Sequence, residues 1–312
     1  MKGGELHMAE NVLNNTTNAV FIPTIIAQKA IGRLGSYLNL ARTVSKDSEW
    51  TTAKEGQVIR VPVRGAVTAN DKTAGSNFTK QNPTATDVSV TLNKHKEVTL
   101  TIDDVIKVLE NQDTQAGYAE DGAIALSESV ESSLAELHPS LTNVVTWDRT
   151  STTTIDTSLL RIRKKFSDNK VPKTEPRYFY VDPTVFNDLL SVDKFTRFDA
   201  RGQNSAISEA LVIKTYGFEI HESQLIEKTG SPAAYHNLAY TRNAMVLASR
   251  PLEKPMPGTG VLSQVVVDQS VGIAMRTLFW YNADLGAHQL TLDLLFGVAV
   301  LDNRRVVEVE SF

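Results

Sequence analysis

Residues 56–102 constrain the fold of this chain more than any other stretch, because they read as two strands joined by a polar segment far longer than a turn. Side chains alternate along a strand. Along Gln57–Arg64 this sets Ile59, Val61 and Val63 on one face and Arg60, Pro62 and Arg64 on the other. Pro62 has no N–H to give to a neighbouring strand, which places this strand at an edge. The return run keeps the same period through Val88, Val90, Leu92, Val98, Leu100 and Ile102, interrupted at Lys94 and Lys96. Between the two runs, residues 65–87 contain no Leu or Ile and a single Phe, Phe78, too little apolar surface for a core of their own. Hairpin loops span about 2–5 residues, so this one is either a disordered insertion or an arm that becomes ordered against a neighbouring subunit.

The rest of the chain supplies enough material to bury a core around that hairpin. At 312 residues with 41% hydrophobic content it suits roughly two domains. No run reaches the ~18 apolar residues of a membrane span, and the N-terminal residues lack the apolar centre of a signal peptide, so a cytoplasmic site of synthesis is expected. The absence of cysteine excludes disulfides, thiolate nucleophiles and Cys-ligated metals together. A net charge of −4 provides no global basic field to grip nucleic acid by counterion release, so any nucleic acid partner is enclosed rather than gripped.

Ahead of the hairpin, Ile22, Ile26, Ala30, Leu34, Leu38 and Ala41 fall three or four apart, which predicts a helix opened by Pro23 and kinked or shortened by Gly32 and Gly35. Its apolar stripe fits either a core helix or an arm lying across a partner, since the preceding Asn11–Asn18 reads as extended and polar. After the hairpin, Asp103 or Asp104 is placed to cap a short helix carrying Val105, Ile106, Val108 and Leu109. A longer helix follows over about 119–137, with Ala119, Ala123, Leu126, Val130, Leu134 and Leu137 on one stripe until His138-Pro139 ends it. Glu120, Asp121, Glu128, Glu131 and Glu136 are expected on its solvated face.

From Leu141 to Pro251 short helices and strands alternate, which predicts a compact α+β unit. Asp156 is expected to cap one helix and Asp182-Pro183 to open another, with strands at 177–181, 217–221 and 244–248. The Pro- and Gly-rich residues 250–260 then read as a linker. Strands are expected at 271–281, at 290–296, at 298–301 after a break at Gly297, and at 304–309. If these pair with the hairpin base and pack on the 119–137 helix, one domain is built from both ends of the sequence and the middle unit is an insertion.

Catalytic patterns are absent. His7, His95, His138, His221, His236 and His288 fall singly, with no His-Glu-x-x-His and no pair at helical spacing, so no metal site is expected. Gly258-Thr-Gly260 lacks the third glycine of a dinucleotide loop, and neither a phosphate-binding Gly-x4-Gly-Lys-Ser/Thr nor a Gly-x-Ser-x-Gly elbow occurs. Paired carboxylates such as Asp103-Asp104 and Glu120-Asp121 fit helix caps and first-turn charges. The reading is a non-enzymatic protein with no cofactor.

Taken in order, an N-terminal arm, a long two-stranded loop, a spine helix, a central α+β unit and a terminal strand set resemble the major capsid proteins of tailed bacteriophages, the Hong Kong 97-type fold shared with encapsulins. The nearest texture lies in Asn14–Pro23, in Thr101–Asp104, and in Ser270–Arg276 followed by Leu292-Asp-Leu-Leu-Phe-Gly297. The resemblance implies an α+β fold divided into an N-arm at 1–54, an extended loop at 55–100, a peripheral domain at 101–146 with 251–312, and an axial domain at 147–250. It further implies hexamers and pentamers in an icosahedral shell enclosing double-stranded DNA, with a portal, a separate scaffolding protein and, in some relatives, a cement protein as partners. An encapsulin-type nanocompartment is the alternative, and an enzyme without a local sequence motif is the remaining one. Because the arm pattern begins by about Asn11, no built-in scaffold and no N-terminal maturation cleavage are expected. The implied location is the virion, assembled in the bacterial cytoplasm. Residues expected at contacts between subunits are Arg60, Arg64, Lys72, Phe78, Lys80, Lys94 and Lys96, with Arg60, Arg64, Lys94 and Lys96 meeting acidic groups of a neighbour.

Overall fold

The stripe Ala119, Ala123, Leu126, Val130 and Leu134 needs a surface to cover it, and that surface organises the molecule. The structure is a computed structural model describing residues 27–35, 37–46, 58–65, 67–82, 85–103, 112–196, 214–256, 258–268 and 271–312. The stripe belongs to a helix over Gln112–Ala135, about 36 Å long at 1.5 Å per residue. It packs on a sheet in which β1 (Ser45–Lys46), β11 (Met245–Arg250), β14 (Ala287–Val300), β13 (Ile273–Asn282) and β12 (Leu262–Asp268) follow in order, with β4 (Lys94–Asp103) also paired to β14. At Gly122 a Cβ would lie 3.2 Å from side-chain carbons of both Val98 and Leu292, which are cross-strand neighbours on β4 and β14. Glycine there lets the long helix settle onto the sheet.

A second sheet runs β5 (Val144–Thr146), β15 (Val306–Ser311), β10 (Ala234–Thr241), β6 (Arg177–Val181), β8 (Phe218–Glu222) and β7 (Lys214–Thr215), with β9 (Lys228–Thr229) against β10. Strand alternation splits its side chains between two cores. Phe179, Val181, Ala239, Val307 and Val309 face the helices Thr152–Asp168 and Pro183–Leu190, while Tyr180, Leu238, Tyr240 and Val306 join the core under the long helix. The two sheets thereby share buried surface through the alternate faces of the same strands.

Several elements depart from the sequence reading. The strand at 245–250 belongs with the first sheet, and the final strand at 306–311 with the second, where it pairs antiparallel with β10 and parallel with β5. The reason is that β15 carries valines on both faces, and only a central position between two cores buries them all. Gly297 does not interrupt β14, which runs unbroken from Ala287 to Val300. Asp156 does not cap a helix; Ser151 does, accepting from the Thr154 N–H, and Asp156 lies one turn inside. There it accepts from Lys194 Nζ at 2.7 Å and from the Tyr216 hydroxyl at 2.7 Å. Although burial pushes its carboxyl up, these two bonds prevail and hold it below the ordinary aspartate range.

Glu131 departs most from expectation. It is 2% exposed rather than solvated, and its carboxylate accepts from the N–H groups of Leu40 (2.9 Å) and Ala41 (3.0 Å) and from the Tyr180 hydroxyl (2.9 Å). The two N–H groups open the helical turn Leu40–Thr43 and have no acceptor within their own helix. Burial pushes the Glu131 carboxyl up even against these bonds. Residues 27–35 and Tyr37 are helical, and Leu38 and Asn39 are not, so the helical pattern is interrupted before that turn, past Gly32 and Gly35 rather than at them. Ala30, Leu34, Leu38 and Ala41 are buried in this chain's own core, so of the two readings of this stripe the core helix holds over the described part. The polar lead Asn11–Asn18, the segment Asn14–Pro23 and the short helix expected after Asp104 lie outside the described residues.

Candidate assembly surface

The hairpin is a two-stranded sheet of its own: β2 (Val58–Arg64) pairs antiparallel with β3 (Ala85–Thr91), matching Ile59 with Val90 and Val61 with Val88. An isolated two-stranded ribbon is marginal in water, so its root needs an anchor. Ile59, Val61, Val90 and Leu92 are buried against Val246 and Ala248 of β11, with Leu295, Ala299 and Leu301 beside them. The ribbon crosses β14 at Gly297, where a Cβ would stand 2.2 Å from the Thr91 carbonyl oxygen and 2.8 Å from its carbon. Any side chain at that position would collide with backbone.

The return run is therefore two strands and not one. Asn93 donates its N–H to the Thr91 carbonyl at 3.1 Å, and this tight turn ends the ribbon. β4 then starts afresh on β14, in a register that sets Lys96 opposite Leu294. Lys94 and Lys96 thus belong to the first sheet and not to the hairpin. Lys94 reaches Glu136, just past the long helix, at 3.1 Å within the same subunit, a partly exposed pair worth about 0–1 kcal/mol. Lys96 is exposed, and Arg60 is exposed on the ribbon opposite Ser89. Arg64 pairs through its backbone with Ala85; its side chain lies outside the described part.

Beyond Arg64 the character reverses. Every described residue from 67 to 82 is exposed, yet the loop carries local order. The Gln81 side chain bridges back to Thr68, accepting from its N–H at 3.1 Å and donating to its carbonyl at 2.5 Å. Ser76 closes a turn on Thr73 with its N–H (3.1 Å) and its hydroxyl (2.8 Å), and Gly75 supplies the positive φ of 83° that this turn requires. Lys72 donates to the Ser76 carbonyl at 2.7 Å while its ammonium sits 4.6 Å from the centre of the Phe78 ring. Phe78 is 81% exposed, and Lys80 nearby is exposed as well. The tip of this ribbon offers an aromatic ring, cations and backbone groups to whatever lies beyond it.

Sequence reasoning missed the root's anchor and a buried histidine pair. Gly297 carried the first signal, since a glycine inside a strand pattern marks a close backbone approach. His138 and His236 stand 98 positions apart with no local signature, and only the topology brings their rings to 3.8 Å.

No protein-family model and no curated protein matches this sequence. Solved structures do match. A chain from Mycobacterium phage Che8 superposes with a TM-score of 0.64 at 18% identity, over 85% of this chain and 88% of that one. The capsid of cyanophage P-SCSP1u gives 0.62 at 15% identity over 87% and 86%. A virus-like particle from Pyrococcus furiosus gives 0.51 at 11% identity over 91% and 97%. The class defined by this architecture is the Hong Kong 97-type α+β fold, shared across nearly the full length of both partners in each comparison.

Proposed function

We propose that this chain is the major capsid protein of a tailed bacteriophage, a structural protein whose activity is self-assembly into an icosahedral shell of hexamers and pentamers. The observation that carries the reading is the hairpin, rooted in its own subunit's core and fully exposed along residues 67–82, in a chain whose fold is shared with a phage capsid. A monomer gains nothing from such an arm; a tiled shell gains a contact at every copy. Residues 1–54 would form the N-terminal arm, its described part seated on the subunit's own core, 55–100 the extended loop with the first residues of β4, which return to the first sheet, 101–146 with 251–312 the peripheral domain and 147–250 the axial domain. Two strands are exchanged between these units, since 245–250 and 306–311 sit in each other's expected sheet. Arg60, Arg64, Lys72, Phe78, Lys80 and Lys96 would meet neighbouring subunits, with Lys94 shared between Glu136 and the interface. A separate scaffolding protein, a portal and, on the outside, a cement protein would be partners. Double-stranded DNA would be enclosed without sequence-specific contacts, in a virion assembled in the bacterial cytoplasm.

The test is negative-stain microscopy and sedimentation of the full chain expressed with its assembly partners. Megadalton spherical particles support the reading, and a discrete monomer to tetramer under all assembly conditions refutes it. The likeness to a virus-like particle over 97% of that chain favours a nanocompartment as the second reading. Particle contents separate the two: a packaged genome supports the capsid, a protein cargo the compartment.

A further inference from the structure

The buried pair His138 and His236 and the carboxylate of Glu308 are, we propose, a divalent transition-metal site of the zinc type, pinning the end of the long helix to the second sheet. His138 lies in the 3-10 turn His138–Ser140 that follows the helix, His236 on β10 and Glu308 on β15. All three are buried, and one ligand atom from each falls within 4.8 Å of the others. Both imidazoles direct Nδ1 at the same oxygen: Glu308 Oε1 is 2.6 Å from His236 Nδ1 and 3.3 Å from His138 Nδ1. The outer nitrogens are engaged, His138 Nε2 with Glu227 Oε2 at 3.1 Å and His236 Nε2 with the Thr229 hydroxyl at 2.7 Å. Inner nitrogens converging while outer ones are oriented by a carboxylate or hydroxyl is the arrangement found around histidine ligands of metals.

Hydrogen-bond accounting points the same way. A carboxylate only accepts, and a neutral imidazole has one donor and one lone pair. His138 has a carboxylate oxygen against each of its nitrogens, so in the neutral form one lone pair confronts an anionic oxygen. A cation resolves this, either a second ring proton or a metal ion. An ion at the meeting point of the two Nδ1 atoms and Oε1 supplies that charge and accepts all three lone pairs. Two imidazoles and one carboxylate suit Zn2+, with a fourth position left for water. The rings stack at 3.8 Å and 13°, whereas a metal lies in the plane of each ring that binds it. One ring must therefore turn about its Cβ–Cγ bond. His138 is the one free to do so, because its outer partner Glu227 is partly exposed and can follow. The Glu308 carboxylate must also draw back from His236, because their 2.6 Å contact is a hydrogen bond and two ligands each about 2.0–2.2 Å from a tetrahedral zinc stand about 3.3 Å apart.

The experiment uses the full chain, stripped with a chelator and then titrated with Zn2+ and, for its absorption bands, Co2+. The expected results are one equivalent bound per chain, a Co2+ spectrum of four-coordinate type, and a melting temperature raised by roughly 5 °C at a hundred-fold excess over Kd. His236→Gln, or His138→Gln should the first not fold, removes the binding and the shift, while the control His95→Gln keeps both. X-ray absorption of the zinc-loaded wild type should read two imidazoles and a carboxylate, whatever the variants do. A chain that takes up no metal overturns the proposal, because an extra proton then serves the cluster instead. Uptake that survives His236→Gln or His138→Gln, or an absorption spectrum without two imidazoles, overturns it equally. None of these outcomes depends on whether the chain forms a shell.

Discussion

The root and the tip of the extended hairpin belong to one ribbon and are governed by opposite physics. At the root, Ile59, Val61, Val90 and Leu92 alternate inward and are buried on β11, so the segment's conformation is fixed by its own subunit. At the tip, residues 67–82 contribute one aromatic ring and short-range hydrogen bonds, and nothing of the described subunit covers them. The contrast teaches that a projecting arm must be held where apolar surface is available and left open where it is to meet a partner.

Substitutions should separate the two regions by their effect on the free subunit. The largest effect is expected for Gly297→Val, because the Thr91 carbonyl already occupies the place of a Cβ; a loss of at least about 3 kcal/mol in chemical denaturation is expected. Ile59→Ala empties a buried position at the root and should cost about 2–3 kcal/mol in the same measurement. Glu131→Gln leaves one of the Leu40 and Ala41 N–H groups without its acceptor, at a cost of about 1–2 kcal/mol. Deleting residues 68–84 should leave the subunit's circular dichroism and denaturation midpoint unchanged, within about 0.5 kcal/mol, while abolishing shells under the microscope. A deletion that unfolds the subunit would break the comparison, since the tip would then support its own fold.

The smallest expected effect is one of pH. Burial holds the His221 imidazole below its ordinary value, although Glu219 at 3.5 Å pulls the other way. The unfolded chain then binds a proton more readily than the folded one, so this contribution is present above about pH 6.5 and is lost as pH falls further. His221→Phe should flatten the decline in melting temperature between pH 7 and pH 5. An unchanged slope would show that other groups set it.

Much of this was legible in the sequence, and where it was not the reason is physical. Strand alternation from Ile59 to Val63 and the helical stripe from Ala119 to Leu134 record which faces are buried, so both elements and the exposed tip could be read directly. The order of parts carried the fold. Pairing partners were harder, because Val306–Val309 and Met245–Ala248 are apolar on both faces and therefore look alike to any sheet; only the packing decided which one each joined. Glu131 read as solvated because a glutamate's burial depends on finding donors, here the N–H groups of Leu40 and Ala41 some ninety residues away. Lys94 and Lys96 were assigned to the hairpin because alternation continues through the break at Leu92-Asn93, which a turn and not a change of period creates.

Hydrogen exchange on the backbone amides of the ribbon, in free subunits and in assembled particles, tests the central claim most directly. The account predicts that amides of 58–61 and 88–91 are protected in both states, and that amides of 67–82 exchange rapidly in the free subunit but become protected in the particle. Tip amides that exchange equally fast in both would contradict it, because the arm would then touch no neighbour.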